Sequence, residues 1–451
     1  MDVTYPKRAI DAPSWTSGQQ PNGLSRTLES ATFYLLCSVL VFAPLAFGAV
    51  EAWAVFVLQA AMAVIALLLI ANSIVNPGSA SGLSNLALLP AGFFLALVGL
   101  QLGLNLSLYR HATYVEGLRV VAYAIGFVAA LQCLRGSERL RQFTLFIGIF
   151  GFVLAVFAML QHFTSPDKLY WFRTPSQGGT IFGPFVNRNH YAGLMEMITP
   201  FAVMGFLVPY TRKEKRILML FAAAMTSASL VLSLSRGGAI SFVVEMAFLA
   251  CFLSFRSENK RAALGIGALA IPLVALVVWL GRAQVVERFS TMQDWMRVAI
   301  TRDAFRMFTE HLAYGTGLGT FGTVYPQYRS FPTDLFVNHA HNDIAQLMAE
   351  TGLPGLLLVL WFLFVVYRNG LRKAEGWVTS WKGAASLAAL TGITGIVAHS
   401  VTDFNLRIPS NALFFCVLCG LAAAREREKA LVIEQSHRFR RTPSVAIKDA
   451  E

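Results

Sequence analysis

Apolar runs of about 17–25 residues recur along nearly the whole of this 451-residue chain, each long enough to cross roughly 30 Å of hydrocarbon as a helix. Nothing else in the sequence restricts the fold as strongly, because a lipid interior offers the backbone no hydrogen-bonding solvent and only helices or closed barrels satisfy themselves there. The runs fall at approximately 31–50, 52–75, 86–106, 113–134, 142–161, 190–210, 217–235, 238–255, 262–281, 343–367, 384–404 and 408–424. They predict an all-α polytopic integral membrane protein of about twelve transmembrane helices. Composition agrees: 55% of residues are hydrophobic and 14% charged, whereas a soluble protein carries about a quarter charged residues. The first thirty residues are polar and carry Pro6, Pro13 and Pro21, a pattern without the apolar core of a cleavable signal peptide.

Lysine and arginine in the short loops orient the bundle. With the N-terminus inside, 24 of the 37 basic residues lie on the inner side, including the Arg212–Arg216 cluster and the tail after Arg425. Both termini are therefore expected in the cytoplasm. Eight of the nine lysines are inner and Lys168 is the outer one, so the outer side is almost purely arginine. Arginine presents a planar fork that grips phosphate at two points, and it also tolerates an interface better than lysine does. The net charge of +12 is mostly this topological bias and does not point to nucleic acid. The five cysteines sit in or beside apolar runs and read as small packing residues; Cys416-Val-Leu-Cys419 lacks a second ligand pair for a metal.

The chain divides into a cytoplasmic segment 1–30, a membrane domain 31–424 and a charged cytoplasmic tail 425–451. Two outer loops, 162–190 and 281–342, are too long to be turns. The first is rich in aromatic, Gly and Pro residues, which suits an ordered loop at the interface. In the second, Val285, Phe289, Met292, Met296 and Ile300 recur every three or four positions, predicting an amphipathic helix able to lie along the outer leaflet.

The polar residues at the outer helix ends form four motifs. Ser233-Leu-Ser-Arg236-Gly-Gly238 places a charge between two apolar helices, which is costly unless the charge is hydrated, paired or functional, and its glycines allow close approach to the backbone. Asn187-Arg188-Asn-His190 sets Arg188 and His190 among amides, a composition suited to phosphate or sugar and equally to a helix cap. Gly317-Leu-Gly-Thr-Phe-Gly322 matches the dinucleotide spacing, but no βαβ unit surrounds it, so it reads as a glycine-rich loop. Asn338-His339-Ala-His341-Asn342-Asp343 resembles a metal pair without a partner cluster; a histidine titrating near neutrality can instead take a proton from a sugar hydroxyl, oriented by Asp343 or Asn342. The outer helix adds Arg282, Arg288, Arg297, Arg302 and Arg306, with Arg288, Arg302 and Arg306 on one face of an ideal helix and Arg297 opposite. Glu116 with Arg119, and His399 with Asp403, are spaced to pair, either lining a cavity or locking helices together.

SLSRGG, a basic outer helix leading into EHLAYGTGLGTFG, and then HAHNDIAQLMAETGLPGLLLVLWF resemble the O-antigen ligase and polymerase-like membrane glycosyltransferases over roughly residues 220–370. The resemblance implies a GT-C-like fold with a periplasmic active site. It implies transfer of a glycan from an undecaprenyl-diphosphate donor to an acceptor hydroxyl, on lipid A–core or another glycan, without metal, nucleotide sugar or other cofactor. Carried over by motif, His341 matches the general base, Arg236 one diphosphate-binding arginine, and Arg297 a second, with Arg302 as runner-up. Arg188, His190, Arg302, His339 and Asn342 are candidate substrate-binding residues. The chain departs from the pattern in having EHLAYG where His-Pro before the glycines is common, and it is expected to lack the large C-terminal soluble domain seen in some protein-glycosylating relatives. The resemblance leaves ligase and polymerase open. A polysaccharide flippase is the competing class, disfavoured because no inverted repeat is apparent and the polar residues gather at one face.

Overall fold

The computed structural model describes residues 23–175, 179–256 and 292–424, apart from the side chains of 80–83 and 292–294. Within them the chain forms helices α1 (Gly23–Leu45), α2 (Ala52–Val75), α3 (Leu88–Gly103), α4 (Arg110–Cys133), α5 (Ser137–Thr164), α6 (Arg188–Leu207), α7 (Lys213–Leu232), α8 (Arg236–Arg256), α9 (Met292–Glu310), α10 (Asp343–Ala374), α11 (Trp381–His399) and α12 (Pro409–Ala423). Every predicted apolar run coincides with one of these helices, except 262–281, which lies outside the described residues. Eight of the helices are long and apolar enough to cross a membrane; α3 and α12 are shorter apolar helices. Large apolar side chains face outward around the bundle, with Phe56 70%, Ile74 75% and Phe364 65% exposed. A continuous belt of this kind needs lipid rather than water against it. This is a membrane protein.

Helices α6 and α11 occupy the centre. Residues 190–202 of α6 are all buried, so this helix has no lipid face and carries Glu196 and Thr199 without exposing them. α11 reads WKGAASLAALTGITGIVAH, and its small residues let α6 approach closely. A Cβ on Gly392 would lie 2.9 Å from Met197 Cα.

α10 is interrupted at Gly352, whose backbone (φ 64°, ψ −166°) is open to glycine alone. The break frees carbonyls that the glycine-rich loop then uses: Thr316 N–H donates to Ala349 O at 2.9 Å and Gly317 N–H to Glu350 O at 3.0 Å. Gln101 at the end of α3 fastens the same loop, donating to Tyr314 O at 2.7 Å and accepting from Leu318 N–H at 3.0 Å. Beneath the loop, Arg407 reaches Glu350 at 2.8 Å and Glu116 at 3.8 Å, while Glu116 also pairs with Arg119 at 2.9 Å as their spacing predicts. The glycine motif is thus an anchor for the segment between α9 and α10.

α9 is amphipathic, as its stripe predicts from Met296 onward; residues before 292 lie outside the described region. Its apolar face is covered by protein. Ile300, Ala304 and Met307 pack with Phe321, Tyr325, Phe331, Ala345 and Ala349, so α9 rests on the segment before α10 and on α10 itself. Buried Asp303 fixes the contact, accepting from Tyr325 OH at 3.1 Å and from Ser330 N–H and O–H, each at 3.0 Å. The loop between α5 and α6 is held to the α1–α2 connection by the Arg173–Glu51 ion pair and by Arg173 over the Phe47 ring.

Candidate active site

At one end of the bundle the starts of α6, α8 and α10, the end of α11 and one side of α9 enclose a cavity of about 610 Å³. Three arginines reach it: Arg236 at the start of α8, and Arg297 and Arg302 on α9. His341, Asn342, His399, Thr402 and Asp403 also line it.

Each wall is built by a short local device. Ser235 caps α8, its hydroxyl accepting from Gly238 N–H at 3.1 Å, which leaves Arg236 as the first helical residue. The preceding turn requires Leu234 at φ 54°. Asn342 likewise caps α10 by accepting from Ala345 N–H at 3.0 Å, and His341 before it is held at φ 50°. An L-residue in this left-handed region costs about 1 kcal/mol or more and persists where its surroundings impose it. Here Ala340 is buried and donates its N–H to Gln346 Oε1 at 3.1 Å, fixing the chain just before His341.

The carboxylate nearest His341 is that of Asp403, whose Oδ1 lies 3.4 Å from His341 Nδ1, a charge contact without the geometry of a hydrogen bond. This corrects the sequence expectation of Asp343 or Asn342. Asp343 is turned inward, accepting from Ser400 O–H at 3.0 Å and Leu406 N–H at 2.9 Å, and Asn342 is committed to its cap. Asp403 also accepts from Asn189 Nδ2 on α6, so it joins three elements. Burial raises the Asp403 carboxyl, but His341, His190 and Arg297 outweigh that effect and hold it below the usual carboxylate range. It is a fixed anion behind the imidazole.

Residues 220–360, which carry Arg236, Arg297 and His341, match a family model described as O-antigen ligase. This segment of the chain is similar to the O-antigen ligase family. No curated protein matches it significantly. The O-antigen ligase segment contributes the arginines and His341, whereas Asn189, His399 and Asp403 come from outside the matched residues.

The cavity sorts the sequence candidates. Arg236, Arg297, Arg302, His341 and Asn342 line it. Arg297 and Arg302 were expected on opposing faces of α9, yet both line the cavity. Val298, Thr301 and Phe305 form the facing stripe, and the two long side chains reach in from its margins. Arg306 lies off that stripe and pairs with Glu310 at 3.1 Å. Arg282 and Arg288 lie outside the described residues.

Arg188, His190 and His339 do not line the cavity. Arg188 begins α6, its N–H donating to Thr180 O at 2.8 Å. His190 and His339 support the site from behind: His190, His339 and His341 pack around the Phe404 ring, with centroids 4.8, 4.5 and 4.9 Å away. Burial, with Arg407 nearby, pushes the His339 imidazole down to about 3, so it stays neutral. Among the described residues no group of three or more His, Cys, Asp or Glu is placed to hold a metal.

The sequence reading marked His399 and Asp403 as a possible pair. They serve the same cavity without pairing to each other, because His399 turns to Glu196 on α6 at 2.8 Å. Glu196 was not anticipated; its signal was a carboxylate in the middle of an apolar run.

Proposed function

We propose that this protein transfers a glycan from undecaprenyl diphosphate to an acceptor hydroxyl at the periplasmic face of a bacterial inner membrane, in lipopolysaccharide or surface-polysaccharide assembly. The observation that carries the reading is one cavity lined both by three arginines and by an imidazole backed by a buried carboxylate. Cleaving a glycosyl–diphosphate bond builds negative charge on the departing diphosphate. Arg236, Arg297 and Arg302 are fixed cations set to meet that charge, the role a metal ion fills elsewhere. The acceptor hydroxyl must lose a proton as it attacks the anomeric carbon. His341 Nε2 takes that proton, and Asp403 at Nδ1 stabilises the imidazolium that forms. An in-line attack of this kind inverts the anomeric configuration.

The family match supports glycan transfer in general, and the acceptor divides ligase from polymerase. The test is transfer by detergent-purified protein from undecaprenyl-diphosphate glycan, with EDTA present, to lipid A–core or to a second lipid-linked repeat. Product on lipid A–core that disappears with His341→Ala is the expected result and makes the protein a ligase. Lengthened product on the lipid carrier makes it a polymerase. Transfer at the normal rate by folded His341→Ala protein would overturn the mechanism.

A further inference from the structure

A second imidazole faces the cavity beside Arg236, and the proposed transfer has not yet used it. His399 ends α11 and is wholly buried, yet it forms part of the cavity wall. Its Nδ1 meets Glu196 Oε1 at 2.8 Å, and its Nε2 has no hydrogen-bond partner. A Cβ placed on Gly237 would lie 2.7 Å from that Nε2 and 2.7 Å from Thr402 Oγ1. With no side chain on Gly237, an imidazole and a hydroxyl close on the first turn of α8 next to Arg236 as a narrow polar niche, tight enough that Nε2 is buried. An alanine there would fill it.

We propose that this niche receives an oxygen of the leaving diphosphate and that His399 Nε2–H donates a hydrogen bond to it. The assignment rests on the transfer reading above and adds a residue and a contact to it.

The charge state of the dyad supports donation. An ionised Glu196 beside a neutral imidazole would bury a net negative charge, which is costly away from water. Adding one proton gives either carboxylate with imidazolium or carboxylic acid with neutral imidazole. In the first Nε2 carries hydrogen, and in the second it does so when the acid O–H donates to Nδ1. Glu245 of α8 reinforces the bias: a Cβ on Gly395 would lie 2.2 Å from Glu245 Oε2 and 3.4 Å from Glu196 Cβ, so a second carboxylate closes on the same spot. Neither Glu245 oxygen has a hydrogen-bond partner.

The two imidazoles then divide the work. As the acceptor oxygen bonds to the anomeric carbon, its proton passes to His341. The bond from that carbon to the diphosphate oxygen breaks, and its electron pair stays with the diphosphate. His399 keeps its proton and hydrogen-bonds the newly charged group.

The test uses the full chain in nanodiscs with farnesyl diphosphate as the product-like probe, reading affinity and the 31P shifts of the bound probe, with melting temperature as the check on folding. His399→Ala and Gly237→Ala should each weaken binding about tenfold and move the 31P shifts, because a hydrogen bond to a charged group is lost. Glu196→Leu should show the same loss and Glu196→Gln should recover part of it, since the amide can hold His399 with hydrogen on Nε2. If Arg236→Ala abolishes binding while folded His399→Ala or Gly237→Ala binds like wild type, the role of His399 is overturned and the transfer reading stands. If wild-type protein does not bind the probe, the transfer reading is overturned and this assignment with it.

Discussion

His341 Nδ1 lies 3.4 Å from Asp403 Oδ1, and the two side chains are 28% and 1% exposed. The imidazole faces the cavity and its counter-charge is sealed behind it, so the pair can accept a proton without drawing water to the carboxylate. Asp403→Asn keeps the shape and the link to Asn189 but removes the charge that stabilises imidazolium. Transfer should fall about 10²-fold or more, while farnesyl diphosphate still binds through the arginines. Comparable transfer rates in the Asn variant and the wild type would show that the carboxylate is structural.

The three described arginines of α9 should separate by direction rather than by charge. Arg297 and Arg302 flank the stripe that lines the cavity, whereas Arg306 turns to Glu310. Arg297→Lys keeps one positive charge but loses the two-pronged contact, and should lower transfer by about tenfold or more. Arg302 already donates to Ser330 Oγ at 3.0 Å, so Arg302→Ala should cost less than Arg297→Ala. Arg306→Ala should leave transfer within about twofold of wild type, since exposed i,i+4 pairs contribute little. Equal losses in all three would mean a diffuse electrostatic surface rather than a built site, and steady-state transfer assays decide it.

The bundle was legible because the pattern that makes a membrane helix is local: length, hydropathy and flanking charge each read from one stretch. The same holds for Asn187, whose cap reading fits the start of α6, where it accepts from Asn189 N–H at 2.9 Å; Asn342 reads as orienting His341 and caps α10 instead. Partnership was not legible. His399 and Asp403 sit one turn apart, which suggests a pair, but the end of α11 brings Glu196 to one and His341 to the other from distant parts of the chain. The histidines His190 and His339 look like ligands in sequence and become packing around Phe404 in space. On α9, ideal-helix geometry set Arg297 against Arg302, and side-chain length brought both to one cavity.

Arg407 and Glu350 join the outer segment to the bundle at 2.8 Å, with side chains 11% and 0% exposed. Glu350 also accepts from Gln346 Nε2 at 2.9 Å and Phe321 N–H at 3.2 Å. Removing one partner strands a buried charge, so Glu350→Ala should destabilise by about 3–5 kcal/mol. Replacing both, as Glu350→Met with Arg407→Met, should cost less than the sum of the single changes. Thermal melts of the three proteins in detergent test this, and strict additivity would mean that the pair is not coupled.

Acid should loosen the support beneath the catalytic loop through His339. Burial lowers its imidazole from the ordinary 6.5 to about 3. The unfolded chain therefore takes up a proton below about 6.5 that the folded protein refuses until about 3. Its contribution to stability is complete above 6.5 and declines as pH falls through that window. Asp403 adds a loss of the same sign only below its ordinary 3.8, because its carboxylate is held lower still in the fold. Melting temperature should thus drop by a few degrees between pH 7 and pH 4.5. His339→Phe keeps a ring stacked on Phe404 and removes the titrating group, so its melting curve should depend less on pH over that range. An unchanged slope in this variant would assign the acid sensitivity to other groups.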